Sequence, residues 1–565
     1  MDDVDAVQAQ IARTMLVSGD WVTARIDGLA YLDKAPFVYW ATAVSYKVFG
    51  VHDWAARMPI AASCIALALL TMAFGAWAFG RREGFYAGLC IATCAGLFLF
   101  TRILIPDVML TLEIALALWA FLRALDEDES HPRLWAAVLA ASLGAGLLTK
   151  SLVSVVFPVG AAVIYLAITR QLFSARTWRR LRPMSGLLIV LAIAAPWHIL
   201  ATLRNPPHFV WTMYSGPGQY HGFFWRYFIN EQLLRFLNRR YPRDYNTVPR
   251  LWFWLFHLIW LFPWSVYFPA IAKLSFRPVD RAGRARLLAL VWIGFVMVFF
   301  TFSTTQEYYS MPIYPAVALL LGSAMALGGD WVRWGTRTLA AISACVAIAL
   351  FAVLIHVRGL PTPGDISAAL TPHPGHYKLS LGHMQDLTLE SFAYLRVPLA
   401  RAGCAFLLGA AGCALLKVQR AFWAAAVMMV IFFQAARVAM VAFDPYLASR
   451  PVAEALMKAP KGTLIAQGHY YEFSSVFFYA NRTGLLSTPL NRRVNLEYGS
   501  FAPGAPKVFI DDTEFASLWR SPERMYLVAF DAALPHYEEL AGTGSMYTVA
   551  ESGGKALMTN QPPVP

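Results

Sequence analysis

The sequence predicts an all-α bundle that crosses a membrane many times, carries amphipathic helices on its outer face and ends in a small α/β domain. Three observations predict it. Apolar residues make up 58% of the 565 and charged ones only 14%, where ordinary soluble proteins carry roughly 25% charged residues. Between about residues 55 and 442, apolar runs of the ~20 residues needed to cross a bilayer recur one after another. After residue 442 the runs shorten and become rich in β-branched and aromatic residues, alternating with helical or turn segments.

Taken in order, the chain opens with "MDDVDAVQAQIARTML". Val4, Val7, Ile11 and Met15 recur at helical spacing, which predicts an amphipathic helix and not a span. The acids Asp2, Asp3 and Asp5 suit its start, where carboxylates meet free backbone N–H groups and the positive end of the helix dipole. Twelve spans follow, at about 55–80, 84–103, 106–125, 133–149, 152–169, 184–202, 251–270, 285–303, 310–327, 337–357, 395–416 and 421–442. Arginine and lysine concentrate in the loops "GRREG", "TRQLFSARTWRRLRP", "AKLSFRPVDRAGRAR", "GGDWVRWGTRT" and "KVQR", which places these on the cytoplasmic side. The opposite side then receives residues 1–54, the turns at "RILIPD" and Lys150, the segments 203–250 and 358–394, "STTQEYYSMP", and everything after 443. Even span number with both ends outside predicts a further, thirteenth span before Met1. Residues 1–442 form the membrane domain in this reading, and 443–565 the outer α/β domain.

Several chemistries find no support. The six cysteines all fall inside apolar runs, and neither zinc spacing nor a phosphate-binding GxxxxGK[ST] loop occurs. The net charge of +13 gathers at loop ends that set topology, which argues against nucleic acid.

Candidate chemistry lies in the outer loops. "RIDGLAYLDKAPFVYW" sets Lys34 among aromatics, as an interfacial anchor or as a ligand for an anion. "TRILIPDVML" puts Arg102 and Asp107 at the mouth of two spans, where Asp107 also suits a helix start. Lys150 in "LLTKSL" sits where the topological bias disfavours a cation. "FFWRYFINEQLLRFLNRRYPRDY" supplies Arg226, Glu231, Gln232, Arg235, Arg239, Arg240 and Arg243, a composition that fits phosphates or anionic headgroups. "FSTTQEYYSMPIYP" offers Glu307, Tyr308 and Tyr309, either a tyrosine belt or part of a site. Carboxylates and cations gathered on one face suit a displacement in which a carboxylate deprotonates a nucleophile while cations neutralise a departing phosphate.

The ordered set "SGDW", "YLDKAPFVYW", "ARMP", "RILIPD", "LLTKS", "PW", "NEQLLRF", "LFPWS" and "YYSMPIYPAVALLLG" resembles the membrane glycosyltransferases of family 39 and their GT-C relatives, among them the protein mannosyltransferases and lipid A aminoarabinose transferases. The resemblance covers essentially the whole chain and implies thirteen spans. It implies transfer of a sugar from a polyprenyl phosphate donor, undecaprenyl phosphate in bacteria, to a lipid A-like or protein acceptor on the periplasmic face of the inner membrane. It places the catalytic acid in the first outer loop, at Asp3 or Asp5, since the family's paired acids fall on Val4 and Asp5. It further implies Asp107 as the acid of the second outer loop, Lys34, Arg235 and Tyr309 as contacts to the donor phosphate, and Lys150, Arg57, Arg102, Glu231, Gln232, Glu307 and Tyr308 as cavity residues. Two departures, Gln232 for a histidine and Thr305 for a lysine, bear on the sugar and the acceptor. An inverting displacement is the implied reaction; no cofactor is required by the sequence, and a divalent cation is left open. A transporter or flippase of lipid-linked sugars is the alternative, disfavoured by spans that are nearly free of charge apart from Glu113.

Overall fold

A computed structural model describes residues 1–242, 248–303, 306–371, 382–488 and 494–562. Arg243 and Thr305 lie outside the described residues. The opening helix α1 (Asp3–Ser18) is capped by Asp2, whose Oδ1 accepts the Asp5 N–H at 2.8 Å, and it stops at Gly19, in the left-handed conformation with φ 72°. Ala6, Val7, Ala9, Ile11, Ala12 and Met15 form its buried face, whereas Val4 is exposed and does not belong to the apolar stripe. A short antiparallel hairpin, β1 (Arg25–Ile26) with β2 (Leu29–Ala30), leads to a second outer helix, α2 (Phe37–Phe49), packed against α1.

The membrane domain is built from helices that coincide with the apolar runs. Among the described residues nine are long and apolar enough to cross a bilayer. They include α3 (Asp53–Ala78), α6 (Asp107–Leu125), α7 (Pro132–Lys150) and the segment Ala175–Arg204, within which α9 (Ala175–Leu181) precedes α10 (Pro183–Arg204). Val153–Ile168, α8, is shorter at 16 residues. Two runs are broken. The one at 84–103 is two helices, α4 (Arg81–Thr93) and α5 (Ala95–Phe100), parted where Cys94 turns extended. The one at 251–270 becomes the pair Arg250–Trp260 and Trp264–Ile271, bent by 98°. The breaks lock into each other: the Ala95 N–H donates to the Phe262 carbonyl at 3.0 Å, and a Cβ on Gly96 would lie 2.7 Å from the Trp260 Cβ. Interrupted backbone inside a membrane persists only where protein satisfies its polar groups, and here one backbone hydrogen bond joins the two breaks.

After the long helix Val418–Leu447, Arg450–Lys458 leads into a six-stranded sheet. Its strands are β3 (Thr463–Gln467), β4 (Leu485–Ser487), β5 (Phe509–Ile510), β6 (Met525–Phe530), β7 (Tyr547–Ser552) and β8 (Lys555–Thr559), in the order β5-β4-β3-β6-β8-β7. β5, β4, β3 and β6 run parallel, and β8 runs antiparallel to both of its neighbours. The sheet docks on α1 through Asp3. One carboxylate oxygen accepts the Ser475 N–H at 2.8 Å, at the start of helix Ser474–Ala480; the other accepts from Lys555 Nζ at 2.8 Å and Ser449 Oγ at 3.1 Å. Breaking one side of such a buried ion pair costs about 3–5 kcal/mol, because the remaining charge stays uncompensated. Lys555→Met is therefore expected to lower the thermal midpoint and expose the outer domain to limited proteolysis. Combining it with Asp3→Asn should cost less than the sum of the two single changes.

Candidate active site

A cavity of about 450 Å³ opens where α6, α7, α8 and the 225–236 segment converge at the outer end of the bundle. One end is polar: Lys34, Asp107, Lys150, Glu231, Gln232, Arg235, Tyr308 and Tyr309 line it. The other is apolar, walled by Val156, Phe157, Leu233, Phe236 and Phe299.

Local structure sets each polar side chain. Pro106 precedes α6, and Asp107 is its first residue; the carboxylate makes no cap but turns across to Lys150, the last residue of α7, with which its Oδ1 pairs. Its Oδ2 is buried without a hydrogen-bond partner. Lys150 Nζ also lies 5.4 Å and 4.9 Å above the rings of Tyr308 and Tyr309. Arg235 closes a π-helix, Trp225–Leu234, a wide i→i+5 geometry that is rare and tends to mark functional sites. Its guanidinium donates to Tyr309 Oη at 2.8 Å and to Glu231 at 3.2 Å. Gln232 accepts the Leu152 N–H at 3.3 Å, tying this helix to the turn before α8.

Beneath these residues lies a charge network that sequence reading did not assemble. Asp33 is buried and accepts two bonds from Arg226, at 2.6 and 3.0 Å, with Arg240 3.7 Å away. Glu231 accepts from Arg240 at 2.5 Å as well as from Arg235. Burial alone would push the Asp33 carboxyl up; the Arg226 guanidinium, joined by Arg240 and Lys34, holds it below the ordinary range. Tyr498 of the outer domain covers Arg226, its ring 4.7 Å from the guanidinium carbon. Arg226 and Arg240 are thus internal supports and not a surface patch. The signal available in the sequence was Asp33 beside Lys34 and a Glu231/Arg235 pair at i,i+4 spacing.

Lys34 is different. It makes no hydrogen bond or ion pair with any described residue, although Arg235, Glu231, Tyr309 and Asp33 all act on its charge. Its side chain is exposed in the cavity, and the protein around it, followed by the Arg235 guanidinium, brings its ammonium below the usual lysine range.

Asp3, Asp5, Arg57, Arg102 and Glu307 are not among the residues lining the cavity. Asp3 serves the outer domain. Asp5 is fully buried, pairs with Arg57 and accepts the Leu104 N–H at 2.7 Å, gripping the loop that leads to Asp107. Arg57 also donates to the Arg102 carbonyl, while the Arg102 guanidinium lies 4.5 Å above Phe98. Glu307 is buried, and its carbonyl accepts from Ser310. No three His, Cys, Asp or Glu side chains converge as metal ligands among the described residues.

Residues 33–200 match the family described as dolichyl-phosphate-mannose-protein mannosyltransferase. The undecaprenyl phosphate-alpha-4-amino-4-deoxy-L-arabinose arabinosyl transferase of Aeromonas salmonicida is 25% identical over 398 residues, covering 67% of this chain and 68% of that one. The enzyme of the same description from Pseudomonas aeruginosa PAO1 is 27% identical, covering 61% of this chain and 60% of its own length. In fold the chain matches ArnT from Cupriavidus metallidurans bound to undecaprenyl phosphate, with a TM-score of 0.78 at 24% identity over 99% of this chain and 93% of that one. The chain shares the fold of this ArnT. Its multi-pass helical body and outer α/β domain follow that plan throughout.

Burial pushes the Asp5 carboxyl up, to about 7, with Asp2 adding to the shift and Arg57 and the Leu104 N–H opposing it. Its ionised form is the one that grips Arg57 and Leu104. Turnover is accordingly expected to rise with pH through about 7, as the grip on the loop before Asp107 forms, and Asp5→Asn should flatten that rise in a pH–rate profile.

Proposed function

We propose that the chain moves one sugar from a polyprenyl phosphate, undecaprenyl phosphate in a bacterium, to an acceptor at the periplasmic boundary of the inner membrane. Lys34 carries this reading: a cation with no ion-pair partner among the described residues, at the polar end of a cavity whose other wall is apolar, suits a phosphate joined to a lipid chain. Likeness to the aminoarabinose transferases runs through most of the chain, whereas likeness to the protein mannosyltransferases stops at residue 200, so a lipid A-like acceptor is favoured over a protein. The comparisons favour transfer over transport of lipid-linked sugars.

The donor phosphodiester carries one negative charge, and the polyprenyl phosphate that leaves carries up to two. Lys34 and Arg235 meet the charge that develops as the anomeric C–O bond breaks, and Tyr309 Oη, held by Arg235, has its own proton free to donate. Each such charged contact is worth about 1.5–3 kcal/mol. The acceptor oxygen attacks the opposite face of the anomeric carbon, inverting it. Asp107 Oδ2, buried and unpartnered, takes the acceptor's proton where that acceptor is a hydroxyl, or orients it where it is an ionised phosphate. Asp5 acts through Leu104 to position Asp107, and Asp3 holds the outer domain against α1.

Release of polyprenyl phosphate from a labelled donor tests this. Asp107→Asn is expected to lower turnover by about 10²- to 10⁴-fold, the usual contribution of a positioned base, while folding and donor binding persist. Full turnover in that variant would remove the base from Asp107. Since Lys34 loses its proton at a lower pH than an ordinary lysine, donor affinity should decline early as the solution turns alkaline. Lys34→Arg should abolish that decline in a binding titration, and Lys34→Met should weaken binding at every pH.

A further inference from the structure

Between the end of α10 and the π-helix the chain throws out a finger that neither the catalytic reading nor the charge network uses. Residues 205–225 contain no Asp, Glu, Lys or Arg. Three large aromatics stand on it in the open: Phe209, Trp211 and Tyr214, exposed by 67, 74 and 81%. The outer α/β domain behaves in the opposite way, with Phe501 and Tyr547 its most exposed aromatics at 39 and 37%. A surface that meets water hides such rings; one that shows them in a row meets something apolar.

The finger continues the lipid-facing side of α10, whose Ile199, Leu200 and Leu203 are likewise exposed. We propose that it is an in-plane membrane anchor, seated by Phe209, Trp211 and Tyr214 among the phospholipids of the outer leaflet. Continuity with a transmembrane surface identifies the occupant, and the residue types agree: tryptophan and tyrosine place an apolar body in the chains and a polar edge at the headgroups, and the lack of charge removes the cost of entering that zone.

The anchor is tied to the site by direct contacts. Trp225, first residue of the π-helix, donates its indole N–H to the Thr212 carbonyl at 2.8 Å. Phe224 packs on Phe209 and Trp211 with ring centroids 5.2 and 5.0 Å apart, and on Phe228, which lines the cavity, at 5.4 Å. The depth of the finger thereby sets the height of the helix that carries Glu231 and Arg235.

The full chain, reconstituted in nanodiscs of phosphatidylethanolamine and phosphatidylglycerol, tests this with p-benzoylphenylalanine in place of Trp211, Tyr214 or, on the exposed face of the outer domain, Glu539. Irradiation followed by mass spectrometry should find phospholipid adducts at 211 and 214 at least about tenfold above those at 539, as an interfacial position requires. Equal yields at all three positions overturn the proposal. So does cross-linking at 211 or 214 to a second copy of the chain, which would make the finger a self-association surface, and so do adducts that form only when a glycolipid acceptor is added.

Discussion

The bidentate pair between Asp33 and Arg226 is the interaction on which the site is built. Both side chains are buried, and neither could remain so alone, since an isolated ion at such a depth costs several kcal/mol after relaxation. Each draws in further charge: Arg240 bridges Asp33 to Glu231, and Glu231 then fixes Arg235. The network joins the first outer loop to the π-helix, and Tyr498 roofs it from the outer domain, so three distant parts of the chain share one set of charges. Its arginines outnumber its acids by one, and the neighbouring Lys34 adds a second positive charge. The cavity thus presents two cations held differently: Arg235 is fixed by Glu231 and Tyr309, whereas Lys34 is engaged by no described residue.

The membrane imposes the second constraint. Backbone that leaves helical geometry inside a bilayer must find partners within the protein, and one such bond, from the Ala95 N–H to the Phe262 carbonyl, joins the two broken runs. The π-helix meets the same demand differently, keeping its hydrogen bonds while widening, and Asn230 on it holds both the N–H and the carbonyl of Tyr241. The π-helix lies at the outer end of the bundle, where the cavity sets cations beside apolar side chains.

Much of the fold was legible because hydropathy is summed over whole spans: every apolar run carries a helix. Geometry within a run was less legible, because hydropathy does not register a break: Cys94 is as apolar as a continuous helix would be, and Pro263, a helix breaker by type, sits in an unbroken apolar run. At the site, grouping residues by membrane side brought Lys34, Asp107, Lys150, Glu231, Gln232, Arg235, Tyr308 and Tyr309 into one set, and the structure lines one cavity with them. Face alone could not assign partners. Asp3 meets Lys555 across 552 residues of chain, and Asp33 meets Arg226 across 193, separations over which local pattern carries no information.

The three acids Asp3, Asp5 and Asp107 look interchangeable as letters and are made different by their partners. Asp3 has both oxygens engaged, by a backbone N–H, a hydroxyl and an ammonium; its bonding capacity is spent on docking. Asp5 is engaged by a guanidinium and a backbone N–H, and its burial sets a proton equilibrium near neutrality, which suits a conditional grip on a loop. Asp107 alone keeps an oxygen without a partner at the edge of the cavity, while its other oxygen is steered by Lys150. A base must have a lone pair to offer where the proton will be, and an orienting contact that prevents the carboxylate from rotating away. Of the three, only Asp107 combines an unpartnered oxygen with an orienting contact, and Lys150, drawn to the rings of Tyr308 and Tyr309, links it to the tyrosine that Arg235 holds. Acid and cation are in this way parts of one connected assembly, so that the separation of the Asp107 carboxylate from the Arg235 guanidinium is set by the fold itself.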